Sequence, residues 1–134
     1  MGKNSKDIVF TSVLRTAIGK FNGSLKEFQA HELGKLVIKK ILEQSKVKAN
    51  DIDEVIMGQV LTGGTGQNPA RQAAIGAGIP ENKTGFVNKQ VCGSGLRSIV
   101  AGYQSILSGD AKIIISGGQE SMSNSKEELR LKDG

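Results

Sequence analysis

The chemistry this sequence can do turns on one thiol. Cys92 is the single cysteine of the chain and lies within VNKQVCGSGLRSIVAGYQSILSG, residues 87–109. An apolar run precedes it, Gly93 and Gly95 follow it, and a helical pattern comes after. The first amides of a helix lack backbone partners, and the helix dipole adds partial positive charge there. A thiolate is stabilised by both, and glycines beside it leave room for a substrate. The competing reading is a small apolar residue packed at a strand end, since free cysteines are commonly buried. Position alone leaves both open.

A nucleophile needs more than a helix start. That electrostatic help amounts to ~0.3–1 kcal/mol, up to ~2 in favourable geometry, too little by itself to ionise an ordinary thiol at neutral pH. A fast acyl-accepting cysteine normally has an adjacent base, most often histidine. The one histidine, His31, falls near the start of the first long helical pattern, and nothing in the sequence brings it to Cys92. It reads as an ordinary surface residue.

Other catalytic patterns fail on inspection. GTGQNP after Gly63 lacks the third glycine of a dinucleotide fingerprint, because Pro69 stands in its place. No lysine follows a glycine at phosphate-loop spacing. Ser94 has Cys92 and Leu96 where a nucleophile elbow needs glycines. One cysteine excludes an internal disulfide and a multi-thiolate metal site, and suits a reducing compartment.

The whole chain sets wider bounds. Its 134 residues suit one domain with a real core. The net charge of +5 comes from lysines scattered along the chain without interleaved aromatics, so they read as a solvated surface rather than a nucleic-acid interface. No stretch approaches the ~18 apolar residues of a membrane span, and MGKNSKDIVF lacks a signal-peptide core. The expectation is a cytoplasmic protein with no membrane and no nucleic-acid partner.

The elements that must position Cys92 follow from periodicity and punctuation. DIVFTSV, 7–13, is short and β-branched and predicts a strand. Ser24 and Glu27 have capping-box spacing for a turn or short helix. Leu33, Leu36, Val37 and Ile41 predict an amphipathic helix over 30–46, followed by a strand at 54–60. Asn68 before Pro69 predicts a helix start, with Gly78 and Pro80 closing the helix near Ala77. A strand at 84–91 leads to Cys92. Beyond it, Leu96, Ile99, Val100, Tyr103, Ile106 and Leu107 form one apolar stripe on a helix ended by Gly109. AKIIISGG, 111–118, reads as a strand buried on both faces of a sheet. This alternation predicts a layered α/β fold with a mostly parallel sheet. The final SKEELRLKDG is polar, so the expected organisation is a domain over 1–124 and a tail over 125–134.

GQNPARQAAIGAGIP (66–80), VNKQVCGSGLRS (87–98) and GGQESMS (117–123) resemble, in order and spacing, the thiolase family of acetyl-CoA C-acetyltransferases, and RTAIGKFNGSL (15–25) looks like that family's first loop. The resemblance implies a layered helix–sheet–helix–sheet–helix core of two similar halves, of which this chain carries part of the first, with an incomplete sheet. It implies that Cys92 is the nucleophile taking the acyl group from acyl-CoA, with its backbone amide helping to hold the thioester oxygen. Two acetyl-CoA would give acetoacetyl-CoA and CoA, or the thiolytic reverse. The coenzyme A thioester would be substrate, with no metal or other bound cofactor. Dimers or tetramers are implied, as is a missing C-terminal half that supplies the activating histidine, a second cysteine and most CoA-binding residues. Alone, this chain should be a poor catalyst. Two rivals stand beside this reading: a non-catalytic dimerisation or interaction fragment, and a ketosynthase-like or hydroxymethylglutaryl synthase relative, which the GQNPARQA and GGQESMS segments fit less well.

Overall fold

A computed structural model describes residues 7–125. Most of the expected polar tail, 125–134, lies outside the described residues. Six regular elements alternate along the chain: α1 (Ala30–Ser45), β1 (Glu54–Gly58), α2 (Pro69–Gly76), β2 (Thr84–Asn88), α3 (Ser94–Ser108) and β3 (Ile114–Gly118). The strands form one parallel sheet in the order β2-β1-β3, with Glu54 opposite Thr84 on one side and Ile114 on the other. Helix α2 packs on β1 and β2 with α1 against it, while α3 lies on β1 and β3. The fold is therefore the expected α/β arrangement.

Punctuation sets the helix ends. Asn68 caps α2 by accepting the Arg71 amide at 3.1 Å, and its own amide group donates to the Gly85 carbonyl of β2 at 2.8 Å. Pro69 follows at the first helical position, where no bonded amide is lost. Gly78 and Gly109 take left-handed conformations where α2 and α3 stop.

The inward faces depart from the apolar-stripe expectation. Helix α1 buries Ala30, Gly34 and Ile38, and α3 buries Ser94, Ser98 and Gly102. Both sets recur at intervals of four, so small residues set the contact and the layers approach closely. A Cβ on Gly102 would come within 2.5 Å of Ser116 Oγ, and one on Gly34 would overlap the Gln119 side chain. The predicted stripes stand to the side or outward: Leu36, Leu96, Val100, Tyr103 and Leu107 are exposed. The buried strand is β1, enclosed from Val55 to Gly58 with Val55 and Ile56 fully buried, whereas β3 is an edge with only Ile115 buried.

One further expectation is corrected. Residues 7–13 form no strand; they are irregular, with Val9, Phe10 and Val13 exposed, and they pair with neither open edge of the described sheet, that of β2 or that of β3. Residues 21–28 form successive turns, closed by Lys26 N to Gly23 O and Phe28 N to Leu25 O, the first of the two forms, turn or short helix, expected from Ser24 and Glu27.

Asp53 ties the start of β1 to the chain entering β3. Its carboxylate accepts the Lys112 amide at 2.7 Å and the Ile113 amide at 3.1 Å. Chiefly the Lys112 amide, then that of Ile113, hold its pKa below the usual carboxylate value. A depressed folded-state value stabilises the fold above the unfolded pKa, ~3.9, and that contribution fades as pH falls through the folded value. Asp53→Asn is expected to cost about 1 kcal/mol at pH 7, discounted for partial exposure. Urea melts of both proteins should converge below pH 3. An equal deficit at pH 3 and pH 7 would refute this assignment.

Candidate functional site

Cys92 occupies the loop that joins β2 to α3, with Gly93 capping the helix behind it, and its thiol is exposed. The loop has its own architecture. Ser94 is buried; its hydroxyl accepts the Gln90 amide at 2.8 Å and donates to the Val91 carbonyl at 2.6 Å. The Ser94 amide donates to the same carbonyl, and the Gly93 amide donates to Gln90 O at 3.0 Å. One turn along, Ser98 donates to the Ser94 carbonyl and accepts the Asn88 side-chain amide at 2.6 Å. A chain of buried hydroxyls thus pins both ends of the loop to the end of β2.

Those bonds hold Val91 in an unfavourable shape. Its φ is +48°, left-handed, and a β-branched residue rarely goes there. Such strain persists only where surrounding bonds over-determine it, and it gathers at functional positions. Val91 is also 68% exposed, so its side chain contributes little packing in return. Val91→Gly should therefore raise stability by up to about 1 kcal/mol, net of the added freedom of the unfolded chain. A denaturant midpoint below that of the parent would show that no strain is stored there.

The first turn of α3 presents unpaired donors. Among the described residues, the Gly95 and Leu96 amides have no acceptor, while the Arg97 amide is taken by Gly93 O. Glycine is required nearby for close approach: a Cβ on Gly58, at the end of β1, would overlap the Ser94 carbonyl, and Gly118 lies against Gly95. The ends of β1 and β3 are therefore pressed against the helix start beside Cys92.

The GGQES segment completes this end of the sheet. Gln119 donates to the buried Gln59 side chain at 3.0 Å and to Pro69 O at 3.2 Å. Glu120 accepts the Val60 and Leu61 amides with its two oxygens, at 2.7 and 3.1 Å. These contacts fix the loop leaving β1.

His31 is half-buried rather than on the surface, and its Nδ1 is enclosed without a partner. No described side chain hydrogen-bonds to Cys92. Nor does Cys92 line the open cleft of about 330 Å³ bounded by Thr62, Gly66, Asn68, Pro69, Val87 and Lys89. Among the described residues no cluster of side chains has the makeup of a metal site, and no helix is long and apolar enough to cross a membrane. Reading residue types missed Val91, Ser94 and Ser98. Ser94 and Ser98 carry a faint signal, two small polar residues four apart on a helix; Val91 carries none.

Comparison with known proteins bears on this site. A family model described as "Thiolase, N-terminal domain" matches residues 8–132. The chain is 51% identical over 131 residues to an acetyl-CoA acetyltransferase of Rhizobium meliloti (strain 1021), covering 98% of this chain and 33% of that protein. It is 54% identical over 117 residues to the Cupriavidus necator acetyl-CoA acetyltransferase, covering 87% of this chain and 30% of the relative. The cytosolic acetyl-CoA acetyltransferase of Mus musculus is 45% identical over all 134 residues, which cover 34% of that protein. The chain thus spans about a third of the length of the relatives it matches.

Proposed function

Because this chain belongs to the thiolase family, we propose that Cys92 is the nucleophile of an acyl-CoA acyltransferase. The observation carrying this reading is the exposed thiol on a strained, over-determined loop, just ahead of unpaired helix-start amides. Sγ, as thiolate, attacks the carbonyl carbon of the thioester. The bond from that carbon to the coenzyme A sulfur breaks, and CoA leaves as a thiolate that takes up a proton. The amide of Cys92 and the free donors of the first turn are suited to bear the negative charge on the carbonyl oxygen. The product is an acyl-cysteine. With acetyl-CoA as donor and a second acetyl-CoA as acceptor, the full reaction yields acetoacetyl-CoA and CoA, or runs thiolytically in reverse, as a step of lipid metabolism. The thioester is substrate, and the proposal calls on no other cofactor.

The second half of that reaction needs a base for the acceptor's α-proton. His31 is the one histidine in the sequence, and no hydrogen bond links a described side chain to Cys92. The 134-residue polypeptide assayed alone should therefore acylate slowly and not turn over. Its working partner would be a second copy or a polypeptide carrying the remaining thiolase portion. The word cytosolic in the mouse relative's name favours a cytoplasmic setting.

Incubation with acetyl-CoA followed by intact-mass and peptide analysis tests the reading. One acetyl group per chain, mapped to Cys92, is expected. Acetylation spread over surface lysines, with Cys92 unmodified, would overturn it.

A further inference from the structure

The side chain of Asn88 is only half satisfied. Its Nδ2 donates to Ser98 Oγ at 2.6 Å, while its Oδ1 is enclosed and has no partner among the described residues. One hydrogen bond adds little net stability, and an enclosed acceptor left unmet costs at least as much. The amide therefore brings no net stability to the fold, and a group of that kind needs another reason to be there. The atoms that enclose Oδ1 belong to this chain, so nothing packed on the outside would reach it.

What the bond supplies is geometry. Asn88 ends β2, and its own carbonyl accepts the Gln59 amide at 3.3 Å, so its backbone is fixed to the sheet. Ser98 lies fully buried in the second turn of α3 and passes its proton to the Ser94 carbonyl at 3.1 Å. The Asn88–Ser98 bond thus spans the base of the loop and pins strand to helix across residues 89–93. Inside that closed ring, Ser94 holds Gln90 and Val91. Val91 is the residue that gives way, at φ +48°. With the base free to open, a β-branched residue would return to an extended or right-handed shape. Cys92, next along the chain, would move with it.

We propose that Asn88 is a positioning residue for Cys92: its side-chain bond to Ser98 keeps Val91 in the left-handed shape that sets the thiol at the head of α3, without adding to stability. This rests on Cys92 being the acyl acceptor and names the residue that places it.

Four forms of the 134-residue chain test it: the parent, the pair Asn88→Leu with Ser98→Ala, Val91→Gly, and all three changes together. The paired change removes donor and acceptor at once and leaves no half-made bond. Its urea midpoint is expected at or above that of the parent, while acetylation of Cys92 by acetyl-CoA slows about tenfold or more. A merely structural bond would give the reverse, a lower midpoint and an unchanged rate in the folded protein. Val91→Gly should raise the midpoint of the parent, and raise it less once the pair is changed, as coupled sites do. The effect of glycine on the unfolded chain is the same in both backgrounds and cancels. A midpoint lowered by the paired change overturns the proposal. So does a parental acetylation rate in that variant, with Cys92 as acceptor left standing, or an equal gain from Val91→Gly in both backgrounds. If the parent itself takes no acetyl group at Cys92, the acyl-acceptor reading fails and the positioning role falls with it, whatever the midpoints show.

Discussion

Gly58→Ala is expected to destabilise the fold by about 3 kcal/mol or more, at the upper end of what overpacking costs. The added Cβ would overlap the Ser94 carbonyl and stand 2.5 Å from the Gly95 amide nitrogen. All the obstructing atoms are backbone, so no side chain can rotate aside. Gly58 ends β1, whose residues are held between two neighbouring strands and covered on both faces. The remaining response is for α3 to lift, which breaks the close seating of Ser94 and Ser98 and loosens the loop bearing Cys92. Against a typical total of 5–15 kcal/mol, the loss should lower the melting temperature by roughly 10 °C. Gly63→Ala is the control, because a Cβ there meets nothing within 4 Å. Equal melting temperatures for the two variants would show that the close approach at Gly58 does not matter. A drop confined to Gly58→Ala, accompanied by faster alkylation of Cys92, would tie stability and site geometry to the same contact.

That contact explains why part of the fold was legible in the sequence and part was not. Element existence follows from local signals. Asn68 before Pro69, Gly78 and Gly109 act through their own backbone preferences, and the structure places the helix ends where those residues predict. Which face of a helix turns inward depends instead on the spacing between layers. Ser94, Ser98 and Gly102 admit a distance that Leu96 or Tyr103 would forbid, and the buried hydroxyls meet their hydrogen-bonding needs through the Ser94 carbonyl, Val91 O and Asn88. An apolar stripe measures hydrophobicity and carries no information on this distance. Strand character at 7–13 failed for a related reason. β-Branched residues favour an extended chain, but a strand exists only with a partner, and partner choice is not local. Val91 lay beyond reach altogether, since its left-handed backbone contradicts its residue type and is imposed by the bonds around Ser94. The candidate nucleophile was readable because its signals, a lone thiol and two glycines at a strand-to-helix change, are all local.

Cys92→Ser should abolish acetyl transfer to the chain. Serine is nearly the same size, and an exposed loop position tolerates the exchange, so stability and the α3 cap should be unaltered within about 0.5 kcal/mol. Chemistry changes far more than packing. Thiols ionise with modest help, and cysteine is intrinsically very nucleophilic, whereas a serine hydroxyl attacks a thioester only when an adjacent base takes its proton. No described side chain is bonded to this position to serve as that base. Acetyl incorporation should fall below detection in Cys92→Ser while the melting curve superimposes on the parent's. Ser94→Ala separates placement from reactivity. It keeps the thiol but removes the hydroxyl that holds Gln90 and Val91, so native acetylation should slow while alkylation in denaturant proceeds at the parent rate. If Cys92→Ser still acquires the acetyl group at the parental rate, the acyl acceptor lies elsewhere, and the strained loop would then serve the packing of α3 alone.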